Sequence, residues 1–216
     1  FWNYGFFDAA SLEPEAYWPE QLRRAGYQTA FFGKWGASQH AGAQAFGYER
    51  AVGFDAWQSM IAERYPNHRS PGWFGGKSDL PLEASKTHWL AAQAAEAIRS
   101  FAANGRPWHV RVDYTDPHLP CDVSEPFYSQ YEHTDLPPWG GFGDPLTEKP
   151  YIQRQQLLNW GLEGMTWQDW LPCVRRYYGM VSQIDDSIGL LLAALEASGS
   201  LEDTVILYTS DHGDTC

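Results

Sequence analysis

The feature that most restricts the fold is a long helical stripe leading into a short β-rich run. Tyr177, Met180, Val181, Ile184, Ile188, Leu191, Leu192 and Leu195 recur at i, i+3/i+4 spacing, and Gly199 ends the pattern. Thr204–Thr209 (TVILYT) comes next, an apolar run of the kind buried on both faces of a parallel sheet. The same order occurs twice earlier. Glu15–Ala25 reads as a short helix closed by Gly26, with a strand at Tyr27–Phe32. Lys86–Ala103 places Leu90, Ala94, Ala97, Ile98 and Phe101 at helical spacing, Asn104-Gly105 closes it, and Trp108–Thr115 is its strand. Alternating helices and strands predict an α/β fold: a mostly parallel sheet sandwiched by helices. In the second strand Trp108, Val110, Val112 and Tyr114 alternate with His109, Arg111, Asp113 and Thr115, so one face is expected to be less fully covered.

With 216 residues, 44% of them hydrophobic, the chain can bury the core such a sheet needs. Domains commonly run about 100–200 residues, so one domain, or a large part of one, is the natural count. Long irregular stretches, Gly36–Ser85 and Pro117–Leu171, separate the units and carry much of the Trp, Pro and Gly. Stretches of that length in a compact domain are functional or insertional. The eleven tryptophans invite a carbohydrate-binding reading, but aromatic-rich loops more often form core under insertions.

A net charge of -12 argues against a nucleic-acid partner, which needs basic stripes. An acidic chain that binds an anionic ester needs a local cation or metal to overcome its own field. Cys121, Cys173 and Cys216 show no C-x-x-C spacing and imply neither a disulfide framework nor a structural zinc site. No apolar run approaches the roughly 20 residues that span a bilayer. The first residues lack a basic n-region and a cleavage pattern, so they do not read as a signal peptide. Because the chain opens without an initiator methionine and stops directly after a predicted strand, both ends are expected to be cut. Compartment and oligomeric state are not legible.

In open α/β sheets ligands bind outside the carboxyl ends of the strands. The residues at the exit of each predicted strand are therefore decisive: Gly33-Lys34-Trp35-Gly36, then Asp116-Pro117-His118-Leu119-Pro120, then Ser210-Asp211-His212-Gly213-Asp214. All three tips are expected on one rim. Lys34, beside a glycine, suits a point-charge contact to a tetrahedral anion, or is a solvated loop lysine. His118 lies between two prolines that fix its backbone; it could give a proton or hydrogen bond to an ester oxygen, or be satisfied by a backbone carbonyl. Asp211 and His212 pair a hard oxygen ligand with an imidazole, which suits a divalent cation. The alternative has Asp211 capping a turn and His212 at the surface. His40, His68, His88, His109 and His133 have no partner at a recognisable spacing, although His40 and His133 could reach the site from the loops. Asp185-Asp186 reads as the solvated face of the third helix.

The order of these motifs carries a resemblance. Gly26-Tyr27-Gln28-Thr29-Ala30-Phe31-Phe32-Gly33-Lys34-Trp35 resembles the G-Y-x-T-x-x-x-G-K-W-H signature of the sulfatase family. Arg106-Pro107-Trp108 through Asp116-Pro117-His118-Leu119-Pro120 is similar to its P-F-F-x…x-P-H-x-P strand and tip, and Tyr177–Asp214 to its helix, strand and S-D-H-G segment. The resemblance covers nearly the whole chain. It implies an alkaline-phosphatase-like fold, incomplete here, with residues 1–216 as the central part of one catalytic domain. It implies hydrolysis of a sulfate ester of a small molecule or saccharide. By family role Lys34 and His118 contact the sulfate and leaving-group oxygens, as catalytic and substrate-binding residues. Asp211 and His212 hold the metal, expected to be Ca2+, with Mn2+ or Zn2+ the alternatives for a phosphonate monoester or phosphodiester hydrolase on the same scaffold. A non-catalytic relative that binds sulfated ligands is a further alternative.

Three departures qualify it. Gly36 stands where the signature has a histidine. The C/S-x-P-x-R motif whose first residue becomes formylglycine is absent, and none of Cys121, Cys173 and Cys216 fits it. The paired metal aspartates and a later lysine are missing too. The formylglycine is expected outside this chain, and these residues alone are not expected to turn over substrate.

Overall fold

The computed structural model describes Glu13 and residues 17–213. The start of the first predicted helix, Asp214 and Cys216 lie outside them. Helix α1 (Trp18–Arg24) leads into β1 (Gln28–Gly33), followed by β2 (Arg50–Val52) and α2 (Phe54–Arg64). A two-residue strand β3 (Gly76–Lys77) precedes α3 (Lys86–Ala103) and β4 (Trp108–Asp113). Then come β5 (Asp122–Val123), α4 (Phe127–Gln130), α5 (Tyr151–Asn159) and α6 (Trp167–Ala197).

The main sheet has the order β2-β1-β4, and both pairings are parallel. β1 is buried along its whole length, as the central strand of a covered sheet must be. Its side chains divide by alternation. Ala30 and Phe32 meet Leu90, Ala94 and Ala97 of α3, with Val110 and Val112 of β4 and Tyr114 just after it against the same cluster. Phe31 faces the other way, into Ala43, Tyr48 and Trp35. Helix α3 is itself covered by α6, through Ala95 and Ile98 against Ala194 and Leu195. The predicted α/β fold with a parallel sheet is present, with α3 and α6 on one face, and the second strand does have a less covered face, on which Arg111 is exposed.

Three expectations are corrected. The stretches read as irregular contain α2, α4, α5 and short strands. α2 and α5 lack a clean apolar stripe, since α2 buries only Ile61 and α5 buries nothing. Helix α6 begins at Trp167, well before the periodic run, because Thr166 and Asp169 form a reciprocal capping box and Pro172 is carried inside the helix. Of its predicted stripe, Val181 and Leu192 face outward. The third correction is the largest. Thr204–Thr209 forms no strand: Val205 is 86% exposed, Leu207 89% and Tyr208 83%. A strand exists only with a hydrogen-bonding neighbour, and among the described residues none lies beside this segment. No helix of the described residues is long and apolar enough to cross a membrane.

Candidate active site

The site is built where β1 and β4 end together. Register pairs Gly33 with Asp113 as the last rung. Gly33 has φ of 116°, and a Cβ there would stand 1.9 Å from the Asp113 carbonyl oxygen. Glycine is thus required for the two backbones to touch. The Lys34 amide then donates to the same carbonyl at 3.0 Å. This anchors the Lys34 main chain to the neighbouring strand while its side chain is exposed. Among the described residues no ion pair involves Lys34. By contrast the nearby Arg111 is held by Asp113 through two bonds of 2.8 and 2.7 Å, so its charge is already neutralised.

The β4 tip is more tightly held. His118 lies between two cis X-Pro bonds, Asp116-Pro117 and Leu119-Pro120, and its amide donates to the Thr115 carbonyl at 3.1 Å. Its Nδ1 is 2.8 Å from the Leu119 carbonyl oxygen. A carbonyl can only accept, so Nδ1 carries the proton and Nε2 of the neutral ring presents a lone pair. His118 can accept a proton at Nε2, or donate from it as the imidazolium. The Nδ1 contact is the backbone-carbonyl partner that the alternative reading of His118 expected.

Asp116 opens the same tip and is buried, its side chain 3% exposed. Lys86 Nζ stands 3.0 Å from Asp116 Oδ1. This is an ion pair without the direction of a hydrogen bond, so that oxygen has charge compensation but no donor. A narrow cavity beside the pair is lined by His68, Ser85, Lys86, Asp116, Asp122 and Gln183, among others. Burial raises the Asp122 carboxyl above the usual carboxylate range, opposed by a 2.6 Å bond from Ser70 and by Lys86. Lys86 was not singled out from the sequence. Its signal was available: in a parallel α/β sheet, helix N-termini gather at the carboxyl ends of the strands, and Lys86 is the first residue of α3.

Two other pairings were not legible in the sequence. His88 Nε2 lies 2.8 Å from Asp186 Oδ2, so His88 has a partner and Asp186 is more than a solvated face. His68 contacts Asp79. His40 and His133, expected to approach from the loops, are both exposed.

Asp211 and His212 are not brought to the rim by a strand, which corrects the expectation of three strand tips in one row. Both are exposed. The His212 amide donates to Asp211 Oδ1 at 2.9 Å, and His212 Nε2 is 3.5 Å from Asp211 Oδ2. One carboxylate and one imidazole are the right donor types for a divalent cation, and they remain adjacent. They are at most two ligands. Among the described residues no three His, Cys, Asp or Glu side chains group to hold a metal ion.

The chain matches the Sulfatase family over residues 4–216, and it belongs to that family. It is 29% identical over 215 residues to a choline-sulfatase from Rhizobium meliloti (strain 1021), covering 89% of this chain and 41% of the relative. It is 28% identical over 184 residues to the multifunctional alkaline phosphatase superfamily protein PehA of Trinickia caryophylli, covering 78% and 35%. In structure it superposes on a phosphonate monoester hydrolase from Silicibacter pomeroyi with a TM-score of 0.65 at 20% identity, over 86% of this chain and 44% of that one. The fold is the one shared by sulfatases and phosphonate hydrolases. The chain spans less than half the length of the curated relatives it matches.

Proposed function

We propose that the protein hydrolyses sulfate esters of a small molecule or saccharide, using a divalent metal. The observation that carries this reading is the last rung of the sheet. Because β1 and β4 end in register, Lys34 and the His118 tip leave the same rim, and among the described residues Lys34 makes no ion pair. Lys34 faces the tetrahedral anion and offsets charge that develops on it in the transition state. His118 exchanges a proton with the leaving-group oxygen through Nε2. Asp211 and His212 supply two ligands to the metal, which when bound adds positive charge at the transferred group. Ca2+ fits the carboxylate; the imidazole is equally suited to Mn2+ or Zn2+. The nucleophile, expected to be formylglycine, is not among these 216 residues.

The test is turnover of the complete protein, with the segment that carries the nucleophile, on matched aryl sulfate, phosphonate monoester and phosphodiester substrates, with Lys34→Ala and His118→Ala beside it. The reading expects sulfate to be preferred. Removing a preorganised charge or a general acid–base group costs about 10²-fold or more in kcat/KM. Preference for the phosphonate or diester would move the protein to the related hydrolase reading. Binding of sulfated ligand without any turnover would make it a non-catalytic relative. An unchanged rate in both variants removes these residues from the chemistry.

A further inference from the structure

Two cysteines with no role in the proposed reaction are brought together by α6. Cys173, Tyr177 and Met180 fall at i, i+4 and i+7, one stripe of the helix. That stripe packs on Cys121 and Val123, with Tyr177 and Met180 in the same cluster. The helix can come this close because Gly179 has no side chain: a Cβ there would lie 2.6 Å from the Phe127 carbonyl oxygen and 3.2 Å from Val123 Cγ1. From the other side, the 74–76 segment touches both cysteines. The Gly76 amide donates to the Cys121 carbonyl at 3.0 Å, and Cys173 Sγ stands 3.9 Å from the Phe74 carbonyl.

The two thiols interact, Cys121 Sγ also lies 3.9 Å from the Pro117 carbonyl oxygen, and both cysteines are free in this structure. Their exposure differs. Cys121 is wholly buried, whereas Cys173 is half-buried. The hydrogen bond from Cys121, with a smaller contribution from the Arg176 guanidinium, holds the Cys173 thiol down at about 7 against the opposing effect of burial. Cys173 therefore has the attributes of an attacking thiolate, and Cys121 those of a resolving thiol.

We propose that Cys121 and Cys173 form a redox-active dithiol that closes to a disulfide when a low-molecular-weight disulfide is supplied as oxidant. The Cys173 thiolate attacks one sulfur of the oxidant, breaking its S–S bond and releasing one thiolate. Cys121 then gives up its proton to solvent and attacks the Cys173 sulfur, displacing the second thiolate. Two protein thiols are oxidised by two electrons, and one small disulfide is reduced to two thiols. The bridge fastens the start of β5, which comes directly after the His118 tip, to α6.

The test is exposure of the purified folded protein to oxidised glutathione, followed by alkylation under denaturing conditions and peptide mass spectrometry. A cross-linked peptide containing Cys121 and Cys173 is expected, absent after dithiothreitol. Cys173→Ser should abolish it and leave Cys121 reduced, since the buried thiol does not meet the oxidant. Cys121→Ala should instead trap glutathione on Cys173. A stable glutathione adduct on Cys173 in the parent, with Cys121 still reduced, would overturn the proposal. So would recovery of both thiols unreacted.

Discussion

The Lys86–Asp116 pair offers a sharp test of how the rim is held. Replacing Lys86 by methionine keeps the aliphatic stem but removes the charge 3.0 Å from Asp116 Oδ1. At an effective dielectric of about 20 the direct attraction at that distance is roughly 5 kcal/mol, before the cost of desolvation. The Lys86 side chain is 23% exposed, so solvent already screens part of this; Asp116, at 3%, has no such recourse. The Asp116 oxygen also lacks any hydrogen-bond donor to take over. Breaking a buried pair from one side costs about 3–5 kcal/mol, and the partial exposure of Lys86 places this case near 3. For a chain of this size that corresponds to a fall in Tm of about 6–12 °C. The assay is urea denaturation at pH 7 for K86M, D116N and the double variant. The double variant should recover most of the loss, because neither charge is left buried alone. If K86M stays within about 1 kcal/mol of the parent, or the double variant is as damaged as K86M, the pair does not hold the tip as argued.

Gly33→Ala drives a methyl into the Asp113 carbonyl oxygen, 1.9 Å away, and should cost about 3 kcal/mol or more in denaturant unfolding. Gly36→Ala, with nothing within 4 Å, should stay within about 0.5 kcal/mol. The same open space predicts that Gly36→His folds normally and, in the complete protein with its nucleophile, raises kcat/KM on an aryl sulfate, since the family signature has histidine there; an unchanged or lower rate refutes a missing contact at this position. The His109 imidazole is pushed down to about 4, first by burial and then by Arg111, with Nε2 buried and lacking a hydrogen-bond partner. Its folded pKa lies below its ordinary 6.5, so the neutral ring favours folding above pH 6.5, and that contribution is lost as pH falls from 6.5 toward 4. In H109Q the stability curve should be flatter across this window, as followed by denaturant midpoints at successive pH values.

The features legible in the sequence divide along the range of the interaction responsible. Leu90, Ala94 and Ala97 announce the face of α3 that meets the sheet because a helix repeats its burial locally. Lys34 and His118 stand out because Gly33 and the flanking prolines punctuate strand ends, and a strand end is a local signal. The Lys86–Asp116, His88–Asp186 and Cys121–Cys173 contacts have no such signal, since each joins residues that only the packing of α3, β4, β5 and α6 makes neighbours. Thr204–Thr209 shows the limit from the other side. Its composition is correct for a buried strand, yet strand formation is a property of two segments, and its residues remain solvent-exposed without one beside them. Asp211 and His212 share that condition. Their residue types suit a metal, but their placement depends on the segment that leads to them. If Asp211 and His212 hold a metal as proposed, its affinity should depend on the conformation of Thr204–Thr209 as well as on the two side chains. A Val205→Thr, Leu207→Thr change, which alters the segment before the two residues and neither donor, should weaken Mn2+ or Ca2+ binding in calorimetry of the purified protein. Unchanged affinity would mean that the two ligands are positioned independently of the segment before them.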